Sequence, residues 1–114
     1  MKRDPITQLQ HMLDHSREAL ALVEGKTRED LDDDRVLNLA LVRLLEIIGE
    51  AANRVPNEKQ ASYPQIPWSQ IVSLRNRLIH GYDAVDLDIV WQIVTQDLPP
   101  LIADLEPIIS ERKA

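Results

Sequence analysis

The chain reads as an all-α protein, an antiparallel bundle of four to five helices joined by short connections. Three observations predict it. Apolar residues recur at three- and four-residue intervals along nearly the whole length, no strict apolar–polar alternation persists, and β-branched residues are sparse outside runs with helical spacing. At 114 residues, 44% hydrophobic and 28% charged, the pattern has room for one core, so residues 1–114 are expected to form a single domain.

Asp4 followed by Pro5 predicts a helix start, a capping side chain with proline at the first helical position, where no backbone donor is needed. Ile6, Leu9, Met12, Leu13, Leu20 and Val23 keep one apolar face until Gly25 ends the helix. Thr27 with Asp30 predicts a second cap before a short acidic turn, Arg28–Asp33. The third helix, about Asp34 to Val55, is apolar on most of its circumference. Arg43, Glu46, Glu50, Asn53 and Arg54 confine its polar character to one stripe of about 100°. Such a helix is central to a bundle, and its stripe faces either water or a site.

Pro56–Pro67 is irregular, with room for a short helical turn at Asn57–Ser62. Pro67 opens a fourth helix, Trp68–His80, which Gly81 stops. Asp86 caps a fifth, in which Leu87, Val94, Leu101 and Ile108 repeat every seven residues, flanked by Val90, Trp91, Leu98 and Leu105. Pro99 and Pro100 each remove a backbone donor and are expected to kink this last helix.

Composition narrows the function. There is no cysteine, which excludes disulfide scaffolds, zinc fingers, iron–sulfur sites and thiol nucleophiles. Three histidines leave few ways to build a histidine-rich metal centre, and no cofactor is expected. Thirteen Lys and Arg against 19 Asp and Glu give a net charge of −6, so any polyanion must be met by a local basic patch. The first residues, Met-Lys-Arg-Asp-Pro, carry no apolar signal core, and the most apolar run, Val36 to Ile48, is broken by Asn38, Arg43 and Glu46. A cytoplasmic protein with no membrane partner is expected.

The segment with chemical potential is Arg75-Asn76-Arg77-Leu78-Ile79-His80-Gly81-Tyr82. On a helical projection Pro67, Ile71, Leu74 and Leu78 form one apolar arc and Trp68, Val72 and Ile79 a second, with Arg75 between them. An arginine there is costly unless paired or opened to a wet cleft, and Glu46 and Glu50 are the nearest sensible partners. Asn76 and His80 stand one turn apart, so their side chains can meet. His80 is expected in the last helical turn, where the negative end of the helix dipole favours imidazolium. A titrating imidazole beside Arg75 and Arg77 has the parts for metal-free RNA cleavage: a proton acceptor for a ribose 2′-hydroxyl and cations for the charge growing on phosphorus. The same residues also fit a plain helix end with Arg–Glu pairs that only set helix register.

Other features have bland readings. His11 and His15, four apart on the first helix, lack a third ligand and read as solvent-side residues. The run Glu29-Asp30-Leu31-Asp32-Asp33-Asp34 lacks the glycine and terminal glutamate of a calcium loop and reads as a solvated helix start. Trp68 and Trp91, set among aliphatic residues, read as core or dimer seam.

Arg75, four residues, His80 and then Gly81-Tyr82 resembles the R-x4-6-H motif of HEPN-domain ribonucleases, and more closely the R-x4-H-x-Y motif of HepT-type toxins. Val42-Arg43-Leu44-Leu45-Glu46-Ile47-Ile48-Gly49-Glu50-Ala51 is similar to the segment upstream of that motif in such proteins. Trp91-Gln92-Ile93-Val94 and Asp97-Leu98-Pro99 are similar to the segment downstream. The resemblance implies a HEPN-like, all-helical homodimer whose two motifs meet at a cleft across the dimer axis. It implies an RNA endonuclease without metal, the toxin of a type II/VII-like toxin–antitoxin pair. Its partner would be a minimal nucleotidyltransferase antitoxin that transfers AMP to the motif tyrosine, which maps to Tyr82. Arg75 would bind and polarise phosphate, His80 act as acid or base, and Asn76 orient it, with Arg77, Glu46 and Glu50 in support. The alternative is a non-catalytic dimeric partner, or substrate-binding subunit, of a nucleotidyltransferase, which an acidic surface would suit.

Overall fold

Apolar spacing becomes helix almost everywhere. The computed structural model describes the backbone of residues 5–80 and 84–113 and, within them, the side chains of residues 6–78 and 85–111. In chain order come α1 (Pro5–Leu22), α2 (Arg28–Asp33), α3 (Arg35–Asn53), α4 (Asn57–Ser62), α5 (Trp68–Val72) and α6 (Leu74–Leu78). Two-residue strands β1 (Ile79–His80) and β2 (Ala84–Val85) follow, then α7 (Leu87–Gln92), a π-helical segment (Ile93–Asp97) and α8 (Leu98–Lys113). Among the described residues no helix is long and apolar enough to cross a membrane.

Helix α3 is central, as its nearly all-round apolar pattern predicts. It lies against α1, α2, α5, α6 and α7, while α1 also covers α8. Leu41, Leu45 and Ile48 of α3 are fully buried with Leu9 and Met12 of α1, Val90 of α7 and Leu105 of α8. Each such side chain contributes roughly 1.5–3 kcal/mol of transfer free energy. Helix ends follow local chemistry. Gly25 takes a left-handed φ of 75° after α1. The Thr27 N–H donates to the Asp30 carboxylate at 2.7 Å, and Asp34 accepts from Leu37 N at 3.0 Å to cap α3. The acidic run thus acts as caps. Asp86 caps α7 by accepting from Asp88 N and Ile89 N. Asp4, the expected cap of α1, lies outside the described residues.

One salt bridge clamps α2 to α7, from Arg28 to Asp88 at 2.6 Å, and a second, from Arg28 to Asp32 at 3.1 Å, braces α2 itself. The hydrogen bond to Asp88 pushes the Arg28 pKa up, outweighing its partial desolvation, with Asp32 adding to the rise.

Two expected helices change form. The fourth is broken at Ser73, whose N–H turns back to Ile71 O and Ser69 O and whose hydroxyl donates to Gln70 O at 3.1 Å. It ends at Leu78 rather than His80. Asp86 N donates to Leu78 O at 2.9 Å, and Ile79 and His80 pair in antiparallel register with Val85 and Ala84. That ladder supplies backbone partners that a continuing helix would have used, so His80 stands in extended backbone. The kink expected at Pro99-Pro100 takes the form of the π-helical segment just before them, where Leu98 N bonds back to Ile93 O. The widened turn holds the carbonyls of Thr95 and Gln96, against which the two proline rings would otherwise press. Helix α8 then runs on through Pro99, Pro100 and a third, interior proline, Pro107.

Candidate active site

Where α3 meets α5 a side chain is missing for a reason. A Cβ on buried Gly49 would come 2.9 Å from Ile71 O and 3.6 Å from Leu74 Cβ. The bare backbone lets α5 press onto α3, and α6 follows it. This contact lays Arg75 over the polar stripe of α3. Arg43, Glu46, Gly49, Glu50 and Asn53 on one side, with Val72 and Arg75 on the other, enclose a hollow of about 460 Å³.

The structure therefore joins Arg75 to Glu46 and Glu50, but not as ion pairs. Arg75 is exposed, and among the described residues it has no salt bridge or hydrogen bond. Glu50 pairs instead with Arg54 at 3.5 Å. Ile71, Leu74 and Leu78 are buried on one face, as the projection places them, and Arg75 beside them opens onto the hollow and water rather than pairing.

Arg77 parts from Arg75. It is half-buried on the other side of α6, 3.4 Å from the Asp97 carboxylate. There it borders a separate cavity of about 260 Å³ lined by Ile71, Leu74, Ile93 and Leu98. Asn76 is exposed. The one-turn spacing expected between Asn76 and His80 does not hold, because the helix ends two residues short of His80. The dipole argument for His80 falls with it. Its side chain, and the whole of Gly81 and Tyr82, lie outside the described residues.

A second hollow of about 290 Å³ adjoins the first, between α1 and α3, with Gln8, His11, Arg43, Ile47, Glu50 and Arg54 on its walls. His11 is exposed there, and His15 lies 3.5 Å from Glu18, its ring centroid 6.3 Å from that of His11. Among the described residues no group of three or more His, Asp or Glu could hold a metal ion. Trp68 and Trp91 are half-buried against the core, and the Trp68 indole donates to Tyr63 O at 3.1 Å.

Two parts of the site escaped the sequence reading: Gly49 as the contact that sets α5 on α3, and the hollow shared by α1 and α3. A glycine inside an otherwise apolar helix was the available signal for the first. The second depends on which helix lies beside α3, which no local pattern encodes. Chemically, an unengaged guanidinium over a polar hollow can grip and polarise a phosphodiester, and carboxylates across it can receive or orient a proton.

Residues 12–108 match the family profile described as ribonuclease HepT-like. The chain is 38% identical over 100 residues to a probable ribonuclease HepT of Thermococcus cleftensis, covering 84% of this chain and 91% of that protein. It is 34% identical over 111 residues to a candidate RNase of Caldanaerobacter subterraneus, covering 97% and 99%. A candidate RNase of Methanocaldococcus jannaschii is 31% identical over 105 residues, covering 92% and 96%. No solved structure matches the chain.

Proposed function

The chain belongs to the ribonuclease HepT-like family and is an RNA endonuclease, and from that premise we propose that it cuts RNA without metal through Arg75 and His80. The observation that carries this reading is the Arg75 guanidinium, exposed over the polar hollow and engaged by no other described residue. Arg75 binds a non-bridging phosphate oxygen and offsets the charge that grows as phosphorus becomes pentacoordinate. His80, five residues on, removes the proton of the adjacent 2′-hydroxyl. That oxygen attacks phosphorus, the bond to the 5′-oxygen breaks, and the leaving oxygen takes up a proton, giving a 2′,3′-cyclic phosphate and a free 5′-hydroxyl. Glu46 and Glu50 border the same hollow and keep the bound strand hydrated and oriented.

The chain acts as one domain and as the toxin of a toxin–antitoxin pair, held in check by a minimal nucleotidyltransferase that adds AMP to Tyr82. Phosphodiesters attached two residues from His80 would fill the cleft with negative charge and exclude RNA. The working unit is a homodimer. Support for it from an apolar surface on the fourth helix is gone, since Ile71, Leu74 and Leu78 are spent inside the protomer. It comes instead from α3, where Val36 is 78% exposed and Leu39 51% exposed, three residues apart. RNA as substrate and a cysteine-free composition suit a cytoplasmic setting.

The test is the purified chain, free of any partner and carrying no AMP on Tyr82, incubated with RNA. Cleavage is expected, and Arg75→Ala and His80→Ala should each remove it while circular dichroism keeps its helical signal. Intact RNA with the unmodified wild type would overturn the reading. A stable complex with a nucleotidyltransferase and no RNA turnover would put a non-catalytic partner in its place.

A further inference from the structure

The hollow under Arg75 does not end at the stripe of α3. It shares Arg43 and Glu50 with the second hollow, so the two form one polar surface running from α6 across α3 to α1. In a chain of net charge −6 this surface is unusual. Arg75, Arg43 and Arg54 border it against two carboxylates, Glu46 and Glu50. Arg43 is exposed and, like Arg75, has no ion pair or hydrogen bond among the described residues. Arg54 holds Glu50 only at 3.5 Å, with both side chains more than half in water, a pairing that a phosphate can displace. His11 adds a ring nitrogen at the far wall.

We propose that Arg43 carries the RNA backbone from the Arg75 hollow into the hollow between α1 and α3, so that Arg75, Arg43 and Arg54 hold phosphates spaced along one single strand. The proposal rests on Arg75 being the phosphate ligand at the scissile linkage. Arg43 and Arg54 stand eleven residues apart on one helix, ~16 Å along its axis at ~1.5 Å per residue. A stacked strand at ~3.4 Å per nucleotide covers that distance with about five nucleotides. The bound segment is therefore longer than the linkage being cut. The track selects for flexible single strands, because its course bends across two helices. Arg43, on the wall shared by the two hollows, is here a binding residue that holds the strand beside the cut linkage.

The test uses 2′-O-methyl oligonucleotides of two and twelve residues, which bind but cannot be cut at the modified ribose. Affinity is read by fluorescence anisotropy between 50 and 200 mM salt. Each phosphate neutralised on a single strand contributes about 0.7 to the slope of log K against log salt. Arg43→Ala should lower that slope by about 0.7 for the 12-mer and leave the 2-mer unchanged. On cleavable 12-mer it should raise KM with kcat kept, and Arg43→Lys should restore most of the slope. Arg35→Ala, an exposed arginine of α3 outside both hollows, should change nothing. An unchanged slope and KM in Arg43→Ala would overturn the track, as would an equal loss in Arg35→Ala, which would reduce the effect to general charge. Arg75→Ala separates the two ideas. If it binds the 2-mer normally, Arg75 is not the central phosphate ligand. If it loses the 2-mer while Arg43→Ala behaves as wild type with the 12-mer, only the track falls.

Discussion

The α-carbon of Gly49 faces the carbonyl oxygen of Ile71 so closely that a methyl group there would stand 2.9 Å from it. The opposing atom is backbone, so it cannot swing aside as a flexible side chain would. Gly49→Ala should push α5 and α6 off α3, costing about 1–3 kcal/mol in urea unfolding, the range for overfilling a packed contact. Cleavage should fall with it, because Arg75 rides on α6. Wild-type stability and wild-type turnover together would mean that the contact does not set the site.

Arg75 and Arg77 are two residues apart yet serve different sides of α6. Arg75→Ala should lower cleavage by about a hundredfold or more, the loss seen when a charge-stabilising donor is removed. Arg77→Ala breaks the 3.4 Å contact with Asp97 instead and should cost at most ~1 kcal/mol of stability. Its cleavage rate should stay within about tenfold of wild type, a barrier change under ~1.4 kcal/mol. Single-turnover assays and thermal melts on the same preparations check both. Equal loss of turnover in the two variants would contradict the division.

Asn38 is the polar member of the core face of α3, 8% exposed, and its amide donates to Leu31 O at 2.8 Å. Asn38→Leu would leave that carbonyl without its partner beneath a fully buried Leu31 and should cost about 1–3 kcal/mol. The check is the midpoint of urea unfolding, with cleavage retained well below it. A midpoint equal to wild type would mean that water replaces the amide.

Arg28→Ala removes the clamp from α2 to α7 and should cost up to about 1 kcal/mol, since the partners Asp32 and Asp88 are largely in water. The loss should shrink in high salt. The pH sign is definite. A guanidinium whose folded pKa is raised contributes stability present below its unfolded pKa and lost only as pH climbs through the folded one. That window lies far above neutrality, so the difference between wild type and variant should be flat from pH 6 to 9. A slope across that range would implicate a different group.

Much of the fold is legible because its causes are local. Gly25, Thr27, Asp34 and Asp86 act on backbone groups within a few residues of themselves, so the ends of α1, α2, α3 and α7 can be read directly. The fourth helix could not be. Ser73 breaks it, and the partners that end it at Leu78 lie on a strand beyond the motif. The same limit applies to the site. Arg75, Glu46 and Glu50 border one hollow, a cation on one helix over a stripe on another, but whether Arg75 pairs with the carboxylates or opens to water depends on how far α6 stands from α3. Arg77 neighbours Arg75 in sequence, yet on the helix it lies on the opposite side and turns toward Asp97.

By itself the amino-acid order determined an all-helical chain, the caps of most helices, the central place of α3 and the polar stripe along it, together with a motif that resembles a ribonuclease family. Those properties follow from period, composition and short-range hydrogen bonding. Only the tertiary structure decided that Gly49 admits Ile71, that Arg77 meets Asp97, that His80 leaves the helix, and that two hollows meet at Arg43. Each of these depends on which backbone lies against which, a relation between residues far apart in the chain that no local pattern carries.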